Sequence, residues 1–323
     1  MNRWHGGLLL ALACAPAAAQ PAWKPERNVE LIVGTSPGGG QDRTARTIQR
    51  ILQERKLVEA PLAVTNRAGG GGAVALAYSH QHAGDGHYLQ VASPTLLTNH
   101  ISGKSRFNWS DFSPVAIMFS EAIVFAVRAD SPIRGGADLV AQLKKDPDSL
   151  SISTSTIAGN QYHIATILVG RAAGVPAGKL KVVIFNSGGD AITALLGGHV
   201  AASTASAANF IPHVKAGTLR VVAISAPRRL AGDLAGVPTW KELGVNIELD
   251  QWRLVFGPPG LGAAQVAYWD GVLGRLVKTD EWKQELARNL WDDIYRGQAE
   301  TRKFLAAEYA DTRAVLTEIG LAR

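Results

Sequence analysis

The feature that most constrains this chain is a repeated unit: a short apolar run, a turn rich in glycine or serine, then a helical period. Val29-Glu30-Leu31-Ile32-Val33 is nearly continuous in apolar character, which suits a strand buried on both faces. The turn "GTSPGGG" (34–40) follows, and Ala45, Ile48, Ile51 and Leu52 then recur at helical spacing. Leu62 to Thr65 reads as a second strand. It runs through Asn66 to a glycine cluster, Gly69 to Gly72, and a small-residue helix through Ala77; Tyr88 to Ser93 reads as a third strand. Strands alternating with helices predict an α/β fold with parallel sheets.

A second block repeats the unit. Ile123 to Arg128, Leu150 to Ser155, Lys181 to Phe185 and Leu219 to Ser225 read as strands, with helices predicted at Leu139 to Leu143, through Arg171 and after Ser187. From Ala263 the chain is mainly helical, and Trp282 and Trp291 read as core cover. No low-complexity linker divides the blocks, and 323 residues suit one large domain or two of ordinary size. Hydrophobic residues at 46% against 19% charged argue for a packed core.

The formal charge of +6 favours acidic partners. The densest basic clusters are only the pairs Lys144-Lys145 and Arg228-Arg229, and no RNP, zinc-finger or basic-helix signature is present, which argues against nucleic acid. Arg3, the apolar stretch Leu8 to Ala13 and the small residues Ala17-Ala18-Ala19 read as a cleavable signal peptide over 1–19. The sole cysteine, Cys14, lies within it; simple export is preferred to lipoprotein anchoring there, and the exported chain has no disulfide or thiol chemistry.

Bare amides around Gly38, Gly39 and Gly40 at a helix start favour an anion, because unpaired N–H groups and the positive end of the helix dipole converge there. Gly69 to Gly72, Thr156 to Asn160 and Ser187 to Asp190 repeat the arrangement. A single glycine turn serves structure as readily as binding; four at strand ends point to a ligand site beyond the carboxyl edges of two sheets. The dinucleotide fingerprint fails, since Arg43 stands at the third glycine position and the second strand ends in Asn66. There is no P-loop and no G-x-S-x-G elbow. His80, His82, Asp85 and His87 in "SHQHAGDGH" read as solvated loop residues, with a metal-dependent enzyme on small organic acids as the alternative.

The motifs taken in order resemble the periplasmic receptors of tripartite tricarboxylate transporters, also called Bug receptors. They are "VELIVGTSPGGGQDRTAR", "VTNRAGGGGAVA", "GDGHYLQVAS", "DFSPVA", "STSTIAGNQYHIA", "GVPTWKELG" and "WRLVFGPPG". The resemblance implies a type II periplasmic binding protein fold, two α/β domains with a ligand cleft between them. Residues 24–126 and 251–323 would form domain one and residues 127–250 domain two, with crossings near 123–130 and 249–256. It implies a periplasmic, monomeric receptor without cofactor, metal or catalytic residue, which captures a small carboxylate for membrane permease subunits. Carried over by position, Thr35, Ser36, Gly38, Gly39, Gly40, Asn66, Gly71 and Ser93 would face the ligand from domain one. Thr156, Gly159, Asn160, His163, Asn186 and Thr204 would face it from domain two. Two departures stand out. Gly34-Thr35 replaces a proline and an aromatic, and Ile184-Phe185-Asn186-Ser187 replaces Pro-Tyr-Lys-Gly. They imply a pocket without that aromatic wall, hydroxyl and cation, and a smaller or more polar ligand.

Overall fold

The computed structural model describes residues 23–155 and 157–323. The expected signal peptide with Cys14, and Thr156, lie outside the described residues. The chain opens with β1 (Val29–Val33), α1 (Gly40–Glu54), β2 (Leu62–Asn66), α2 (Ala73–Gln81), β3 (Tyr88–Ala92), α3 (Thr95–Ile101) and β4 (Ser113–Glu121). It continues through β5 (Ile123–Arg128), α4 (Gly136–Lys145), β6 (Ile152–Ser155), α5 (Gln161–Ala172), β7 (Val182–Phe185), α6 (Gly188–Leu196), β8 (Ala202–Ser206), α7 (Ala207–Lys215) and β9 (Leu219–Ser225). It closes with β10 (Arg253–Gly257), α8 (Ala263–Leu276), α9 (Asp280–Asn289), β11 (Trp291–Asp292) and α10 (Gln298–Glu318).

These strands form two sheets, ordered β11-β4-β10-β3-β1-β2 and β7-β6-β8-β5-β9, each the centre of one lobe. β1 pairs in parallel with β2 and β3, and β6 with β7, as the apolar runs predict, and β6 pairs in parallel with β8, which no apolar run announced. The sheets are nevertheless mixed, which corrects the all-parallel expectation: β10 is antiparallel to β3 and β4, and β5 to β8 and β9. Parallel neighbours need a long crossover, usually helical. β4 ends at Glu121 and β5 starts at Ile123, so one nearly unbroken run serves both sheets and enters the second without such a crossover. The returning chain lies beside it. Ala122 bridges Asp250, Glu121 N–H donates to Gln251 O (3.1 Å), and Gln251 N–H donates to Glu121 O (2.8 Å).

Apolar clusters cover both faces of each sheet. Leu31, Ile51, Trp269 and Trp282 pack on one side of the first, Leu97, Trp252 and Leu316 on the other. Phe125, Val169 and Trp240 flank the second sheet on one side, Leu195, Phe210 and Ile224 on the other. The C-terminal helices α8 and α10 lie on β4 of the first sheet. Trp291 stacks on Phe119 with centroids 3.8 Å apart, so both tryptophans singled out in the sequence belong to the core. Among the described residues no helix is long and apolar enough to cross a membrane.

Trp240 is fully buried and stands edge-on to Phe125 at 5.0 Å. Trp240→Ala should leave a cavity that costs about 3–5 kcal/mol. Urea denaturation checks this as a lower midpoint with the slope unchanged.

Candidate functional site

The glycine turn after β1 is shaped by one buried carboxylate. Asp42, in the first turn of α1, accepts from Gly38 N–H (2.9 Å), Arg46 Nε (2.9 Å) and Asn66 Nδ2 (2.9 Å). Burial raises the pKa of this carboxyl, but the Arg46, Gly38 and Asn66 hydrogen bonds outweigh it and hold the group below its ordinary value. Asn66 also donates to Thr35 O (2.9 Å), which ties the turn to the end of β2. Gly38 takes φ +81, where a side chain would be strained. The N-cap of α1, Gly39, makes no side-chain cap, and the first amides of a helix have no acceptor within it. The start of α1 therefore presents bare N–H groups and a partial positive charge.

Those amides face a cavity between the lobes, with about 50 Å³ open to the centre of a water-sized sphere. Thr35, Gly39, Gly40, Gln41, Gly71, Ser93 and Thr95 line it from the first lobe. Gln41 Nε2 donates to Ser93 Oγ (3.1 Å), which orients both side chains. The second lobe contributes Ser155, Tyr162, Asn186, Ser187, Gly188 and Asn209. Gln251 and Arg253 line it from the returning crossing. Tyr162 hydroxyl lies 2.7 Å from Ser206 Oγ, and burial pushes its pKa up, so it stays a neutral hydrogen-bonding group. Thr35 Oγ1, Gln251 Oε1 and Arg253 Nε are buried in this lining without a hydrogen-bond partner. Buried polar atoms are normally paired, so these three have hydrogen-bonding capacity to spare.

The lobes meet around the cavity. Arg43 Nη2 on α1 donates to Asn209 Oδ1 on α7 (3.0 Å). Lys104 Nζ, beyond α3, donates to Ala158 O on the opposite lobe. Gly71 approaches Ile157 so closely that a Cβ there would lie 2.8 Å from the isoleucine side chain.

Of the residues expected from sequence, Thr35, Gly39, Gly40, Gly71, Ser93 and Asn186 come together on this lining. Ser36 lies beside it on a shallower opening with Thr35 and Asn186. Gly38 opens instead onto an outer groove with Arg43 and Arg46. Asn66 is part of the turn's scaffold. Asn160 caps α5 by accepting from His163 N–H (2.9 Å) and donates to Ser155 O. Gly159 N–H donates to His163 Nδ1 (2.8 Å), so the neutral ring carries its proton on Nε2. Thr204 is fully buried within β8, its hydroxyl 3.3 Å from Thr166 Oγ1. Thr156 lies outside the described residues. Sequence reasoning missed Gln41, Thr95, Ser155, Tyr162, Asn209, Gln251 and Arg253. Tyr162 and Arg253 supply an aromatic ring and a cation from elements other than those the two departures had emptied. The signal for Arg253 was present: a charge inside the apolar strand "WRLVF".

The histidine-rich turn disperses. His82 stacks on Tyr88 with centroids 3.6 Å apart, His87 Nδ1 lies 2.7 Å from Asp85 Oδ1, and His80 packs against Phe107. Among the described residues no group of three or more His, Cys, Asp or Glu is placed to hold a metal ion.

A family profile described as tripartite tricarboxylate transporter family receptor matches residues 44–321. Protein BugT of Bordetella pertussis is 26% identical over 319 residues, 97% of this chain and 96% of its own. Among solved structures, an R. palustris protein with adipate superposes with a TM-score of 0.85 at 24% identity, covering 92% of this chain and 99% of that one. MatC from Rhodopseudomonas palustris with bound malate gives 0.80 at 22% identity, covering 90% and 99%. At such identities the structural likeness speaks for the fold: two α/β lobes around a cleft.

Burial, and then the nearby Lys104 ammonium, push His163 from 6.5 down to about 4. The unfolded chain takes up this proton first as pH falls, so the contribution of His163 to stability is complete above about 6.5 and is lost as pH falls toward 4. His163→Gln should remove that part of the acid dependence. Denaturation midpoints of both proteins across this range, with the ring titration followed by NMR, check it.

Proposed function

This chain belongs to the tripartite tricarboxylate transporter receptor family, and from that membership we propose that it is a periplasmic receptor which closes on a small carboxylate and presents it to permease subunits. No covalent step is part of this reading. The observation that carries it is the interlobe cavity at the uncapped start of α1, lined by amides, hydroxyls and carboxamides. A carboxylate there gains charge-assisted hydrogen bonds, each contributing roughly 1.5–3 kcal/mol. The malate and adipate bound to the two similarly folded proteins support the ligand class.

In the same reading the lobes are the two domains. β5 belongs to the second sheet, so the first junction is drawn at Ala122 rather than at 126, and the second stays at 250–251. Closure is a rotation of one lobe on the other about these paired crossings. Ligand capture and lobe contact are then one event, with the Gly71–Ile157 approach as part of it.

A carboxylate that binds only the folded chain should, at 100 times its Kd, add about 2.7 kcal/mol of stability. A thermal-shift panel of small carboxylates with neutral analogues as controls tests this; shifts by neutral analogues alone would refute the reading. Gly71→Ala places a Cβ against Ile157 at a residue with φ +63. It should weaken binding about tenfold or more, and solution scattering should show the lobes held apart with ligand present.

A further inference from the structure

Among the described residues, Arg253 is the one charged residue lining the cavity, and it is 2% exposed. Its Nη2 is ion-paired with Glu121, itself 3% exposed, at the crossing between the lobes. Nη1 donates to Gln251 O (3.3 Å) and Trp252 O (3.2 Å), while Nε–H has no acceptor. The guanidinium also lies against the start of α1, where a Cβ on Gly40 would fall 2.6 Å from Nη2. A cation with an unsatisfied donor and the bare amides of Gly40 and Gln41 thus border the same small space. A guanidinium offers five N–H groups in a planar fork, and a carboxylate is the acceptor that fork fits.

Glu121 alters what that carboxylate can be. It stands behind the lining and offsets the charge of Arg253, so the pair adds no net charge, and the nearest remaining positive potential is that of the helix start, roughly half a charge. One carboxylate matches that potential. A second would have to share the same small cavity with a buried carboxylate close by, and no second cation lines it among the described residues: Arg43, which holds Asn209, opens onto the outer groove. The other orphans, Thr35 Oγ1 and Gln251 Oε1, accept hydrogen bonds, which suits a hydroxyl donor on the guest.

We propose that the Glu121–Arg253 pair makes this a monocarboxylate site: Arg253 and the α1 amides hold the single carboxylate of a small ligand, and Glu121 turns away a second. The proposal rests on the receptor reading above and narrows its ligand class, in contrast to the dicarboxylates bound by the two similarly folded proteins. The test uses two pairs of acids that differ by one carboxylate, lactate with malate and propionate with succinate, in calorimetric titrations. The native chain should bind lactate and propionate at least tenfold more tightly than their dicarboxylate partners, with lactate ahead of propionate. Glu121→Gln should narrow that gap by tenfold or more. The double variant Glu121→Gln with Arg253→Gln replaces both charges by carboxamides of similar shape, so it reports binding even if the single variant fails to fold. It should lose at least tenfold in lactate affinity.

Dicarboxylates binding the native chain as tightly as their partners would overturn the monocarboxylate assignment and leave the receptor reading standing. So would a double variant that melts lower but keeps the lactate-to-malate ratio, the mark of a purely structural ion pair. Binding of neutral analogues with none of the four acids would overturn both.

Discussion

Two peptide hydrogen bonds between Glu121 and Gln251 set the plan of this molecule. They fasten the outgoing and returning crossings to each other at the only places where the main chain passes between the sheets in the described structure. Each sheet keeps apolar cover on both faces, and the lobes also touch through apolar side chains: Ile164 of α5 is buried in the first lobe's cluster with Leu97 and Trp252, and Leu290 packs on the second lobe's cluster. The ribbon is shared as well, with the polar and charged side chains that flank it. Gln251 and Arg253 reach the interlobe cavity because they sit on that ribbon, and Glu121 stays beside them because its backbone is paired there.

Strand β1, which carries the first glycine turn, was legible because it is almost wholly buried and therefore nearly apolar along its length, and β5 and β9 for the same reason. β1, β5 and β9 have the limits their apolar runs suggest. β8 was not legible for the opposite reason. Its sequence Ala-Ser-Thr-Ala-Ser is half polar, yet every position is buried, with Ser206 and Thr204 placed beside Tyr162 and Thr166 instead of water. Periodicity and hydropathy carry no trace of such a strand. Parallel direction was overread from the same apolar runs. An antiparallel strand in a covered sheet is equally apolar, and only the topology of the crossings separates the two.

The cavity shows a similar division. A glycine-rich turn announces that amides are exposed, but not which way each one points. Gly39 and Gly40 open α1 toward the cavity; Gly38, one residue earlier, is turned to Asp42 and the outer groove. Asn66 resembles a ligand-facing amide in sequence, but its donor group is taken up by Thr35 O and Asp42, so it acts on the turn's shape. Residues such as Tyr162, Asn209 and Arg253 belong to separate helices and strands far apart along the chain, and nothing local marks their convergence.

Helix α1 carries a further consequence. Its first turn holds the bare amides at the cavity and also Arg43, whose guanidinium grips Asn209 on the opposite lobe. One rigid element therefore borders the cavity and holds its far wall within a single turn. Coupling between two equilibria is reciprocal: if a bound guest favours the Arg43–Asn209 contact by some factor, that contact favours the guest by the same factor. A permease that pried those two side chains apart would thereby lower the receptor's affinity at the moment of delivery.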